Sequence, residues 1–195
     1  MPATTSGAEP ATDEHLMLAF ARGSTDAFTE LFSRYKQPIF GFFRRRLANP
    51  DHADELTQET FLAILRSANT YKETALFRTF LYAIALKILH GHRRKTTFRN
   101  LFLGTPSTDR EPAAPNTSTD FLLRDAVNRL PSHDREVLLL REFEELSYAE
   151  IAELLRLPVN TVRSRLFRAR TALRDLLSAP IPTPSPALTQ HEERA

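Results

Sequence analysis

Apolar residues recur at helical spacing in blocks, and the blocks are separated by polar, proline-containing stretches. Leu16 and Phe20 lie one turn apart and predict a short first helix, with Asp13 as its candidate cap. From Thr25 onward, Phe28, Leu31, Phe32, Tyr35 and Ile39 predict a second helix, with Pro38 as a candidate kink. "ANPDHADELTQETFLAILRS" predicts a third, with Asn49 as N-cap and Pro50 at the first helical position. Its apolar stripe is Leu56, Ala63 and Ile64, with Phe61 close by. A fourth helix, roughly Leu76 to Lys95, is apolar early ("FLYAIALKIL") and basic late ("HGHRRK"). A second group follows. One helix spans roughly Phe121 to Arg129 and is closed by Leu130-Pro131, and another starts near Ser132 and carries Val137, Leu138 and Leu140. Ser147-Tyr148-Ala149-Glu150 fits a capping box and opens a short helix through Leu155. The turn "RLP" then leads into "NTVRSRLFRARTALRDLL", Asn160 to Leu177. Two helices joined by three or four residues make a helix-turn-helix candidate.

The expected fold is therefore all-α, in two modules. Residues 13–97 form an N-terminal helical bundle and residues 120–178 a helix-turn-helix domain. Residues 98–119, which include most of "GTPSTDREPAAPNTSTD", read as a flexible linker. Residues 1–12 and 179–195 read as disordered ends. Composition agrees: 195 residues, 42% apolar and only 5 glycines favour packed helices over sheet. The absence of cysteine removes disulfides, thiolate metal sites and a cysteine nucleophile. No apolar run approaches the roughly 18 residues of a membrane helix, and "MPATTSGAEPATDEH" lacks the order of a signal peptide. A cytoplasmic protein is expected.

The net charge of +2 makes any basic surface local, and the last helix supplies one with five arginines. At about 100° per residue, Val162, Leu166, Ala169, Leu173, Leu176 and Leu177 share one face. The opposite face centres on Ser164, with Phe167, Arg168, Thr171 and Asp175 around it and Arg163, Arg170 and Arg174 along its edge. Phe167 stands where a merely solvated helix would carry Lys or Glu. It either packs on a neighbouring element or meets a base edge or thymine methyl in a major groove. As the second helix of a helix-turn-helix, this basic surface points to DNA.

These residues resemble a known family. "LPSHDREVLLLREFEELSYAEIAELLRLPVNTVRSRLFRARTALRDLL" is similar to the promoter-binding domain of bacterial RNA polymerase sigma factors of the extracytoplasmic-function (ECF) group. Alone it also resembles the helix-turn-helix of LuxR-type regulators. "HADELTQETFLAI" looks like the ECF segment that docks on the polymerase, "GSTDAFTELFSRY" resembles the family's typical opening, and together the resemblance covers roughly residues 13–95 and 119–178. It implies a core-polymerase surface of Asp54, Glu55, Gln58 and Glu59; Phe61 is either an apolar contact there or core. It implies that Phe77, Phe80, Lys87, Arg93 and Arg94 meet single-stranded −10 DNA, which calls for cations, aromatic surfaces and a base pocket, although such aromatics also serve as core. It implies that Asn160, Thr161, Arg163, Ser164, Phe167 and Arg168 contact the −35 element, with Arg165, Arg170 and Arg174 on phosphates.

The chain departs from the family pattern at several positions. Phe80-Leu81 stands for Trp-Leu, Lys87 for Asn and His90 for a common Asp, so −10 specificity does not transfer. Glu145, Arg156 and Asn160 occupy positions where the family often has glycine; Asn160 is benign there, and Arg156 is either slightly strained or reaches a phosphate. His90 and His92 lack further ligands and read as surface, with no metal or cofactor expected. No catalytic constellation is present, so no enzyme is expected. The partners implied are core RNA polymerase, promoter DNA and an anti-sigma factor. The rivals are a DNA-binding regulator acting without the polymerase, and a helical adaptor whose basic helix contacts protein.

Overall fold

The computed structural model describes residues 11–47, 49, 51–72, 76–103 and 119–178, and among these the regular structure is helical throughout. The N-terminal module holds α1 (Asp13–Ala21), α2 (Thr25–Arg44), α3 (His52–Ser67) with a 3₁₀ turn at Ala68–Thr70, and α4 (Phe77–Leu103). The C-terminal module holds α5 (Thr119–Arg129), α6 (Ser132–Glu142), α7 (Tyr148–Leu155) and α8 (Val159–Ser178). The segments expected to be disordered or linking at 1–10, 104–118 and 179–195, and Pro50, lie outside the described residues.

α1, α2 and α7 begin where a side chain satisfies one of their first N–H groups. Thr12, not Asp13, caps α1, accepting from the His15 N–H at 3.3 Å. Asp13 is occupied elsewhere, by Arg34 at 2.7 Å and by the Tyr35 hydroxyl. Ser24 caps α2, which runs through Pro38 as one helix. Asn49 does not cap α3: its Oδ1 accepts from the Asp51 N–H at 2.9 Å in a bend, and the helix starts at His52. α4 does not stop near Lys95 but continues to Leu103, into the segment read as linker.

Met17, Leu31, Ile39, Phe42, Phe43, Leu56, Ile64, Leu81 and Leu89 form the core of the first module, and Val137, Leu140, Ile151, Val162, Leu166 and Ala169 that of the second. The two modules touch. Glu144, buried in the α6–α7 loop, accepts from Arg45 at 3.0 Å, Arg46 at 2.9 Å and the Tyr82 hydroxyl at 3.2 Å. Arg46 also pairs with Glu136 at 2.9 Å and lies over the Phe42 ring. A second tie joins Arg78 of α4 to Glu150 of α7 at 3.0 Å.

Glu150 does two jobs. It completes the capping box, its carboxylate accepting from the Ser147 N–H at 2.8 Å while Ser147 Oγ accepts from the Glu150 N–H at 3.2 Å. Burial pushes its carboxyl pKa up, but the Ser147 hydrogen bonds and Arg78 outweigh burial and hold it below the ordinary 4.5. A depressed carboxyl pKa stabilises the fold above the unfolded value and loses that contribution as pH falls through the folded one. The thermal midpoint is therefore expected to fall as pH drops below about 4.5, and Glu150→Gln to lose part of that dependence in a calorimetric pH series.

Candidate polymerase and nucleic-acid interfaces

The α3 sequence sorts its residues by period. Ala53, Leu56, Thr57, Thr60, Phe61 and Ile64 are buried, and the two threonine hydroxyls donate to the carbonyls of Ala53 and Leu56 at 2.7 and 2.8 Å. That leaves Asp54, Glu55, Gln58 and Glu59 exposed as two adjacent i, i+4 rows. Phe61 belongs to the core, edge-on to Phe32 at 4.8 Å and to Phe28 at 6.4 Å. Its ring nevertheless forms part of the floor of a shallow groove of about 270 Å³, lined by Phe28, Phe32, Gln58, Phe61, Leu62 and Leu65. Leu62 and Leu65 are 48% and 40% exposed, and sequence reasoning missed them. Their only signal was that Phe61 to Leu65 is apolar all round the helix, more than one buried face requires.

The α4 assignments need correction. Phe77, expected at single-stranded DNA, is fully buried against Tyr35 and Tyr71, with its N–H bonded to Glu14 at 2.9 Å. Phe80 is half-buried against Tyr71, ring centroids 5.2 Å apart. The first half of α4 is a core helix, its stripe Phe77, Leu81, Ala85 and Leu89 repeating every four residues, and an aromatic on that stripe is not offered to a ligand. Lys87, Arg93 and Arg94 are exposed, and Arg93 also donates to the Arg46 carbonyl at 2.9 Å.

The helix-turn-helix is built from α7 and α8. Arg156 ends α7 in the left-handed region at φ 54°, and Glu145 in the α6–α7 loop has φ 55°, the strained geometry expected where glycine is usual. The Leu157 N–H bonds Ala152 O at 2.9 Å, and the Thr161 N–H bonds Pro158 O at 2.9 Å, so three residues turn the chain into α8. Val162, Leu166 and Ala169 bury, Leu173 and Leu176 are half-buried, and Leu177, expected on the same stripe, is exposed.

On the opposite face Asn160, Arg163, Ser164, Phe167 and Arg168 are exposed, and Thr161 and Arg165 are half-buried. Phe167 is 72% exposed, so the packing alternative fails in this structure. The Ser164 hydroxyl donates back to Thr161 O at 3.0 Å, keeping its lone pairs outward. Arg168 is not a bare cation: its Nε and Nη2 donate to both Asp134 oxygens at 3.1 and 2.9 Å. That bidentate grip from α6 fixes the guanidinium and leaves its outer N–H edge unused by the pair. Arg170 is likewise held by Glu142 at 3.1 Å, and Arg174 stands 3.8 Å from Asp175.

Two family models match the chain: Sigma-70 region 2 over residues 31–99 and Sigma-70, region 4 over residues 120–173. The ECF RNA polymerase sigma-E factor of Haemophilus influenzae is 32% identical over 178 residues, covering 84% of this chain and 94% of that one. The sigma factor YlaC of Bacillus subtilis is 32% identical over 157 residues, covering 76% and 91%. Among solved structures, CnrH in complex with the cytosolic domain of CnrY shares the fold with a TM-score of 0.66 at 23% identity, covering 87% of this chain and 99% of that one. The sigma factor RpoE of Bartonella quintana, in complex with the anti-sigma factor NepR, gives 0.66 at 21% identity, covering 79% and 98%.

Proposed function

Because the chain belongs to the ECF group of bacterial RNA polymerase sigma factors, we propose that its α3 face docks on core polymerase while α8 reads the −35 element and α4 holds the −10 strand. The observation that carries this assignment is the presence on one chain of two surfaces with different chemistry. The α3 face is acidic and rimmed by exposed leucines; the α8 face is basic and carries exposed Phe167. A regulator acting without the polymerase has no use for the first.

The two elements lie about 25 base pairs apart, or ~85 Å at 3.4 Å per step. A compact body of this size is about 40 Å across. The Glu144 and Glu150 ties must therefore open before both elements are held at once, and polymerase binding supplies the free energy. No covalent chemistry by this chain is needed: melting follows from capture of unpaired bases. The proposal includes an anti-sigma partner that competes for these surfaces.

The deciding experiment is run-off transcription with core polymerase on a random promoter library, where the chain should select a −35/−10 pair that core alone ignores. DNA binding without polymerase binding would instead establish the regulator. Within the selected promoter, Arg168→Ala is expected to relax preference at one or two −35 positions by ~1–3 kcal/mol. Arg170→Ala is expected to weaken all sequences alike and to lower the salt slope by about one. Binding titrations across salt and single-base variants separate the two outcomes.

A further inference from the structure

The far end of α4 carries a feature that the surfaces described above do not use. Phe98 and Phe102, one helical turn apart, are 63% and 67% exposed, and their rings pair with centroids 4.3 Å apart at 32°. The region 2 match stops at residue 99, inside this pair. Two large rings held together in water are poor economy for a helix that needs only a solvated face.

Their surroundings indicate what would cover them. From Phe77 to Leu103 the helix carries Arg78, Lys87, Arg93, Arg94, Lys95 and Arg99 and no carboxylate. Arg94, Lys95 and Arg99 are exposed and lie within about one turn of the rings. Leu101, beside them, is 77% exposed. An apolar protein surface would satisfy the rings and Leu101 but leave the cations facing nothing complementary. An acidic apolar surface of the polymerase would match both, and a loss of core-polymerase affinity in the Phe98→Ala/Phe102→Ala variant would reveal it and overturn the platform. A folded duplex would satisfy the cations but offers no open base face. A DNA single strand satisfies both, its phosphates meeting the cations and its unpaired bases the rings. Phe98 lies about 16 Å along α4 from Lys87, on the same unbroken helix. It thus extends the basic track into which buried Phe77 and half-buried Phe80 put little aromatic surface.

We propose that Phe98 and Phe102, with Arg94, Lys95 and Arg99, form a stacking platform for the unpaired bases of single-stranded DNA. The rings already touch each other, so a base stacks on the outer face of the pair rather than between its members. The inference rests on the promoter reading and adds a contact to it.

The probe is a fluorescent mixed-sequence 20-nucleotide DNA strand, titrated with the full-length chain at low salt. Phe98→Ala/Phe102→Ala should weaken binding at least about tenfold, while Phe98→Tyr/Phe102→Tyr retains it. A 2-aminopurine in the strand should be quenched by wild type and not by the alanine variant. Both rings are exposed, so the thermal midpoint and affinity for core polymerase should not move. Single-strand affinity within twofold of wild type, no measurable wild-type binding, or tighter binding to an RNA strand of the same sequence would each overturn the platform. So would a change in sedimentation of the alanine variant with strand binding intact, which would make the patch a self-association surface. Run-off initiation by the wild-type chain is scored separately, so loss of the platform leaves the sigma-factor reading standing.

Discussion

Glu144→Ala is expected to lower the stability of the chain by on the order of 3 kcal/mol, and to loosen the two modules from one another. Both partners of the central pair are buried: the Arg46 and Glu144 side chains are each 1% exposed. Removing one member of such a pair leaves an uncompensated charge, and that cost usually exceeds what the pair itself contributes. Arg46 keeps Glu136 and the Phe42 ring, which places the loss at the lower end of the usual range. The Tyr82 hydroxyl and Arg45 lose a partner as well. For a chain of this size the loss corresponds to a fall in thermal midpoint of roughly 6–12 °C. Small-angle scattering should show a larger radius of gyration, because Arg45 and Arg46 belong to one module and Glu144 to the other. Replacing both charges, as Arg46→Met/Glu144→Leu, should recover part of the midpoint, since Arg45, Tyr82 and Glu136 still lack their partners. A single Glu144→Ala variant that is as compact and as stable as wild type would show that the buried pair does not hold the modules together.

That tie shows where sequence reading ends. The helices were legible because each writes its own 3.6-residue period, and the Ser147–Glu150 capping box was legible because its partners lie three residues apart. The Arg46–Glu144 pair spans 98 residues and has no periodic signature. The same reason explains Thr12: Asp13 looked like the cap, but Arg34 and Tyr35, a turn and more along the next helix, occupy it. The end of α4 was misplaced for a different reason. The linker was expected from residue 98, yet no glycine or proline interrupts the chain between Lys95 and Gly104, so nothing stops the helix. Phe77 was misassigned because an aromatic on a core stripe and an aromatic offered to a base are identical in sequence; only the register of α4 against α2 separates them. On α8 the register was strong enough to put Phe167 outside, because Val162, Leu166 and Ala169 claim the inner face without ambiguity.

Reversing charge on α3 should have the largest effect on function. Asp54 and Glu59 are exposed and bury nothing, so Asp54→Lys/Glu59→Lys should leave the fold and the thermal midpoint nearly unchanged. At a docking interface, placing like charges opposite one another costs several kcal/mol and slows association. Affinity for core polymerase is therefore expected to drop roughly a hundredfold, or about 2.7 kcal/mol, mainly through the on-rate and mainly at low salt. The neighbouring groove gives an independent handle. Leu62→Gln/Leu65→Gln removes exposed apolar surface without changing charge, so its loss should persist at high salt, where screening has already weakened the charge contribution. The α8 surface is untouched by either variant, so binding to a −35 duplex should match wild type. If both variants bind core polymerase as wild type does, the α3 face is a solvated helix surface and the docking site lies elsewhere. If only the leucine variant fails, the groove carries the interface and the acidic rows serve solubility alone.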